Sequence, residues 1–254
     1  MRKSLLVFLA VLGVAWFAFS DSISFTGQGT NPQSGELEAN AVFEIVGSQL
    51  IITLTNTGPA AEVPSDLLSG VFFDLANANL LTPVSATLVN GAQVIQNGAP
   101  FVQPAGYELL PDVGTEFAFL GDLSGSAFRG AQYGIEASGL GYFGPGDRFD
   151  TSKPGDVLSP PASPDGANFG LASAISGTAN SKVTGVPVIV GGSVQFVFGY
   201  EGSLSLSDIS NVNFQYGTST SDPNLIVPEP STIALMGIGI AGLAAARRVR
   251  KNRA

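Results

Sequence analysis

ELEANAVFEIVGSQLIITLTN, residues 36–56, has the clearest strand pattern in the chain. Apolar side chains alternate with mostly polar neighbours in both halves of it, which is the period-2 pattern of half-buried strands. Gly47 and Ser48 lie between the halves, and a glycine at the first position is what a type II′ turn requires. The stretch therefore predicts a β-hairpin. Its inward-facing residues would be Leu37, Ala39, Ala41, Phe43, Ile45, Leu50, Ile52 and Leu54.

Short apolar runs separated by turn residues continue this pattern along the chain. The two-residue turns Asn90-Gly91 and Gly191-Gly192 predict two more hairpins, and Asn97-Gly98 predicts a further turn. With the first hairpin, these runs give about ten strands and no convincing amphipathic helix. We therefore expect an all-β ectodomain over residues 21–218, a β-sandwich of jelly-roll or immunoglobulin-like type. The runs are residues 71–75, 85–89, 92–96, 115–120, 132–138, 186–190, 193–199 and 208–218.

The exported part of the chain is strongly acidic. Residues 21–227 contain 19 Asp and Glu but only four Lys and Arg, so their net charge is −15, against −9 for the whole chain. Such a surface repels nucleic acid and anionic lipid, and we expect neither as a partner of this part.

The chain contains neither histidine nor cysteine. Ser-His-Asp and Cys-His enzymes are therefore excluded, as are disulfides and thiolate metal sites. A hydrolase that uses only carboxylates needs two facing acids, and no pair is singled out among the 19. We expect a protein that is not an enzyme and needs no cofactor, with such a hydrolase as the alternative.

The C-terminal segment, residues 228–254, has three parts. The Pro-Glu-Pro triplet, residues 228–230, is expected to be extended. It is followed by an apolar run from Ile233 to Ala246 and then by a basic tail. As an α-helix the apolar run would be about 21 Å long, short against a hydrocarbon core of roughly 30 Å. The pattern predicts a short transmembrane helix with a cytoplasmic stop. The motif residues are Val227, Pro228, Glu229, Pro230, Ser231 and Thr232, and the basic residues are Arg247, Arg248, Arg250, Lys251 and Arg253.

This tail resembles the PEP-CTERM sorting signal of bacterial surface proteins, the substrates of exosortase membrane transpeptidases. The resemblance covers only about the last tenth of the chain. It implies that an exosortase processes the chain and that everything from Ile233 onward is an address removed on maturation. The precursor would lie in the inner membrane of a Gram-negative-type bacterium, and the mature protein at the cell surface or in the extracellular matrix. A plain tail anchor is the alternative.

The first 20 residues have the pattern of a secretory signal peptide. Arg2 and Lys3 precede an apolar core at residues 5–19, and small residues at Ala18 and Ser20 predict signal peptidase cleavage before Asp21. A retained signal anchor is the alternative. Because both ends of the chain are basic, the positive-inside rule places both termini of the precursor in the cytoplasm. Residues 219–227 are predicted to be a linker.

One long loop, residues 141–170, contains the candidate metal ligands. Asp147, Asp150, Asp156 and Asp165 could surround a calcium ion, since hard cations prefer carboxylate and carbonyl oxygens. No EF-hand spacing is present, and Asp in such a loop is commonly a turn former. Both interpretations remain open at this point.

Four aromatic residues near this loop are candidates for stacking on sugar rings: Tyr142, Phe143, Phe149 and Phe169. Core packing is the alternative. Two G-x-G-x-x-G matches, at residues 139–144 and 237–242, are rejected as dinucleotide sites because Pro145 follows the first and the second lies in the apolar run.

The sequence thus predicts a non-enzymatic exported surface or matrix protein that an exosortase sorts at its C-terminal signal. The alternative is a carbohydrate-binding or adhesive module of the exopolysaccharide matrix, with calcium as its candidate cofactor.

Overall fold

The computed structural model describes residues 21–77, 80–102, 110–123, 127–152 and 168–227. These ranges form β-strands joined by short 3-10 turns and one four-residue helix, α1 (Ser181–Thr184), which confirms the all-β class. The strands are β1 (Asp21–Asn31), β2 (Gly35–Val46), β3 (Gln49–Asn56), β4 (Leu68–Leu75), β5 (Leu81–Val89), β6 (Gln93–Gln96), β7 (Ala99–Pro100), β8 (Ala118–Leu120), β9 (Tyr133–Glu136), β10 (Leu171–Ala172), β11 (Val188–Val190), β12 (Ser193–Tyr200), β13 (Ile209–Tyr216) and β14 (Asn224–Ile226).

Within the described ranges, no helix has the length and apolar character needed to cross a membrane. The predicted signal peptide, residues 1–20, and the predicted membrane helix from Ile233 to Ala246 lie outside those ranges. Both stay predictions.

The strands form two sheets. The first sheet has the order β1-β2-β3-β12-β5, and all its neighbours are antiparallel. The second sheet has the order β14-β13-β4-β10-β11-β6-β7, with β9 paired to β4 and β8 paired to β9. The pair β10–β11 is parallel. The predicted turn at Asn97-Gly98 is confirmed, since it joins β6 to β7 as a hairpin.

Both sheets contribute to one hydrophobic core. Phe43 of β2 meets Phe73 of β4 with ring centroids 5.3 Å apart, and Phe119 of β8 meets Phe198 of β12 at 4.8 Å. These edge-to-face contacts join the two sheets across the core. The packing supports the predicted sandwich, and its jelly-roll or immunoglobulin-like type stays a prediction.

The first hairpin is confirmed by β2 and β3. Val46 lies opposite Gln49, and Gly47 has a φ of +60°, as the predicted turn requires. The inward residues Phe43, Ile52 and Leu54 are fully buried. The period-2 pattern was reliable here because one face of the hairpin meets the core and the other meets solvent.

The two other predicted hairpins are wrong. β5 and β12 pair with each other in the first sheet, whereas β6 and β11 pair with each other in the second. The two chain segments therefore lie side by side, and both bend from one sheet into the other at residues 90–92 and 191–192, which we call the corner. A Cβ atom on Gly192 would lie 2.5 Å from Ala92 Cα, so the two backbones touch there.

The sequence did not predict β1, an 11-residue strand on the edge of the first sheet. Its alternation is hidden because glycines occupy two inward positions. A Cβ atom on Gly27 would lie 2.7 Å from Phe214 Cδ2, and one on Gly29 would overlap Leu225. The glycines let β13 and β14 approach the first sheet closely.

The predicted linker, residues 219–227, is corrected by the structure. β14 lies within it and pairs with β13, and Leu225 is buried. The preceding turn is closed by Asp222, whose Oδ2 accepts hydrogen bonds from the N–H groups of Thr218 (2.9 Å) and Ser219 (3.0 Å). The folded domain therefore extends to the residue before the Pro-Glu-Pro triplet.

Candidate processing site

The last strand leads directly into the candidate sorting motif. The N–H of Val227 donates to the carbonyl oxygen of Val212 at 3.2 Å, which continues the pairing of β14 with β13 by one residue. The next residue, Pro228, lies outside the described ranges, as do all later motif residues and the basic tail. Proline has no N–H to donate, so neither Pro228 nor Pro230 can extend this ladder as a donor.

A groove lies beside this junction. It has a volume of about 1040 Å³, and both Asp21 and Val227 line it. We call it the terminal groove. Its apolar lining includes Ile23, Phe25, Leu206, Ile209, Val212 and Ile226. The two ends of the ectodomain therefore lie at one side of the domain.

The tether between the domain and the apolar run is short. Ile233 is six residues after Val227, a distance of at most about 20 Å when fully extended. A processing enzyme that holds the triplet must therefore approach the terminal groove and the end of β14.

The candidate calcium ligands are only partly described. Asp147 Oδ2 accepts from the N–H of Gly144 at 2.7 Å, and Asp150 Oδ1 accepts from the N–H of Ser152 at 2.8 Å, which are turn-forming contacts. Asp156 and Asp165 lie outside the described ranges. Among the described residues, no group of three or more His, Cys, Asp or Glu is arranged to hold a metal ion. Calcium binding stays a prediction.

Three of the four candidate sugar-stacking aromatics are packed inside the domain. Phe143 and Phe169 are buried, and Phe149 contacts Phe196 and Phe198 at centroid distances of 5.4 and 5.2 Å. Tyr142 is 46% exposed. Core packing, the alternative considered for these residues, therefore holds for three of the four.

Phe143 also contacts an aromatic side chain of the second sheet. Phe72 of β4 stacks on Phe128 at 3.9 Å and meets Phe143 at 6.2 Å.

A three-residue 3-10 turn, Pro145–Asp147, follows Gly144. This turn is too short to supply the helix N-terminus that a dinucleotide site needs. The second such match, residues 237–242, lies outside the described ranges.

The sequence predicted the strand at residues 208–218, which is β13, but missed β14, which positions the motif. Val212 accepts the last hydrogen bond, and Leu225 anchors β14 between the two sheets. The signal was present but short, since β14 has only two apolar residues, Leu225 and Ile226, and the segment is bounded by Pro223 and Pro228. Prolines at both ends of a short run are typical of an edge strand.

Comparison with protein families identifies residues 227–251 as a PEP-CTERM protein-sorting motif. The matched segment begins at Val227, the last residue that the structure describes and one that is bonded to the sheet, and ends at Lys251 in the basic tail. Comparisons with curated proteins and with solved structures gave no significant match. The chain is therefore a PEP-CTERM domain-containing protein, and its motif implies exosortase-dependent sorting of an exported precursor.

Proposed function

We propose that the chain is a non-enzymatic surface or extracellular-matrix protein, whose β-domain is the cargo that the sorting motif delivers. One observation carries the proposal. The described sheets reach Val227, where the sorting motif begins, so removal of everything from Ile233 onward takes away no residue of those sheets. A domain arranged in this way stays intact when its membrane segment is lost.

The sequence supports a role without catalysis. Without histidine or cysteine, the chain lacks the commonest general base near neutral pH and the commonest metal ligands. The net charge of −15 on residues 21–227 keeps such a domain soluble and discourages contact with anionic polymers.

The arrangement of the two ends supports the membrane topology. Signal peptidase would cut before Asp21, and the exosortase would act near the triplet Pro228–Pro230. Since Asp21 and Val227 line the same groove, both membrane segments of the precursor would attach to one side of the domain. A precursor inserted at both ends in one bilayer has this geometry.

Replacing Pro228, Glu229 and Pro230 with alanine tests the processing step. We expect the variant to accumulate as a membrane-held precursor, whereas the wild type is recovered as a chain that starts at Asp21 and lacks everything from Ile233 onward. The measurement is intact mass with C-terminal peptide mapping of protein from cells and medium. Asn252→Ala, which lies beyond the matched segment, is the control. Normal release of the triple variant would show that the triplet is not the recognition element.

The alternative, a carbohydrate-binding or adhesive module that uses calcium, stays a prediction. Of its four candidate aromatics only Tyr142 is well exposed. Binding of the mature domain to the producer's own exopolysaccharide, with and without calcium, would revive it.

A further inference from the structure

β14 attaches the sorting motif to the folded domain without a spacer. Asn224, Leu225 and Ile226 pair with Gln215, Phe214 and Asn213 of β13, and Val227 adds its own hydrogen bond to Val212. We call residues 224–227 the terminal strap. The first proline of the triplet follows the last bonded residue of the strap directly.

A closed strap restricts access to the triplet. Enzymes that cut polypeptides act on segments that are open, and they reach folded segments through local opening. One edge of the strap is bonded to β13, and one face is covered because Leu225 packs over Gly27 and Gly29 of β1. An enzyme holding Pro228–Pro230 would therefore meet the edge of the sandwich immediately before the triplet.

We propose that the terminal strap leaves β13 before the exosortase acts, so that local opening of the domain controls its own processing. The proposal rests on the exosortase-dependent function proposed above. Opening adds four residues, at most about 14 Å of extended chain, to the free peptide before Pro228. The enzyme then binds an extended substrate at a distance from the sandwich.

The strap is short and has few buried contacts. Beyond its backbone pairing, the Asn224 side chain donates to Asn213 and Gln215 and accepts from Arg129. β14 has three residues, against 11 in β1, which is the edge strand of the other sheet nearby. Leu225 is its one buried apolar side chain, whereas Ile226 is 54% exposed. Edges with few buried contacts open at a small fraction of the free energy of global unfolding.

The turn before the strap has contacts of its own. Gln215 Nε2 donates to the carbonyl oxygens of Tyr216 (2.7 Å) and Ser219 (3.1 Å), and Asp222 caps the N–H groups of Thr218 and Ser219. These bonds remain when residues 224–227 leave β13. Pro223 is then the boundary between the part that stays and the part that opens.

A disulfide across the strap tests the proposal in the full-length precursor. The natural chain has no cysteine, so Asn213→Cys with Ile226→Cys introduces one pair, at positions directly opposite each other. Such positions bring Cβ atoms to about 5 Å, and exported proteins meet an oxidising compartment. We expect the oxidised precursor to lose its tail at least about tenfold more slowly than the wild type, and reductant to restore the rate.

Two controls separate a closed strap from other effects of the disulfide. Thr26→Cys with Asn40→Cys bridges opposite positions of β1 and β2 and leaves the strap free, so processing should match the wild type. A flexible Gly-Ser spacer of about eight residues between Val227 and Pro228 should restore processing of the locked precursor, because it supplies the open chain that the strap otherwise provides.

A substitution that loosens the strap tests the same idea without a disulfide. Leu225→Ala removes its anchor and should accelerate processing at least about threefold, if opening limits the rate. Leu81→Ala, a similarly buried leucine at an edge of the first sheet, should not. This pair decides the question if the cysteine variant folds poorly.

The outcomes are distinct. Equal processing of the oxidised locked precursor and the wild type, or no acceleration by Leu225→Ala, would overturn the strap proposal while the sorting function stands. A wild-type precursor that keeps its tail in the same experiment would instead overturn the proposed function.

Discussion

Glu136 places a carboxyl group inside the covered face of the second sheet. Its side chain is fully buried, and a Cβ atom on Gly70 of the neighbouring strand would lie 2.9 Å from its Cδ. The glycine therefore makes the space that the carboxyl occupies. Burial raises the pKa of Glu136 from 4.5 to about 8, and the hydrogen bonds that Glu136 accepts from the N–H and hydroxyl of Ser138 offset only part of this rise.

The raised pKa predicts a stability that falls with pH. Between pH 4.5 and about 8 the unfolded chain ionises Glu136 while the folded domain keeps it protonated, so the free energy of unfolding falls as the pH rises through this range. Glu136→Gln keeps the shape without the charge. We expect its melting temperature to exceed that of the wild type at pH 8 and to match it near pH 4. Thermal melts of the processed protein at both pH values measure this. A difference in melting temperature between variant and wild type that is the same at both pH values would refute it.

At the scale of elements, the corner depends on the absence of a side chain. Gly192 faces Ala92 where two bent strands cross between the sheets, and any Cβ there would meet backbone, which cannot turn away. We expect Gly192→Ala to lower the free energy of unfolding by roughly 1–3 kcal/mol through overpacking. Gly199→Ala, in strand β12 that begins directly after Gly192 but with nothing near its Cβ position, is the control. Denaturant unfolding of both variants gives the comparison, and equal stabilities would show that the corner can accommodate an added Cβ atom.

The corner also shows why turn residues alone do not give strand pairing. Asn90-Gly91 bends the chain as its sequence predicts, but a bend between paired strands and a bend between sheets use the same dihedral angles. What distinguishes them is the third partner, since β12 lies beside β5 and β11 beside β6. That partner is about 100 residues away in sequence, and a local pattern carries no information about it.

The hairpin at residues 36–56 could be predicted from its own sequence, whereas β1 could not. The hairpin is bounded by its own turn and its inward residues are large, so its pattern was readable. In β1 the inward positions Gly27 and Gly29 are filled by Phe214 and Leu225 from the far end of the domain. A strand completed by other segments has no apolar alternation of its own.

At the scale of the whole molecule, the sorting motif was predictable because it is linear. The triplet, the apolar run and the basic tail follow one another in sequence, and residues 227–251 match the family. The junction with the domain was not predictable, since it depends on Val227 meeting Val212 across two strands. The sorting motif can therefore be identified from the sequence, whereas its attachment to the β-domain can be identified only from the structure.

The acidic surface of the domain should respond to divalent cations without distinguishing between them. Residues 21–227 have a net charge of −15, and their acidic side chains repel one another. Any salt that screens this repulsion should stabilise the domain. If Asp147 and Asp150 serve only as turn acceptors, calcium has no advantage over magnesium, and equal concentrations of the two chlorides should raise the melting temperature equally. Thermal melts of the processed protein in about 1 mM of each chloride, near the affinity range of extracellular calcium modules, make the comparison. A rise with calcium that magnesium does not produce would show that the acids of loop 141–170 gather around a specific ion.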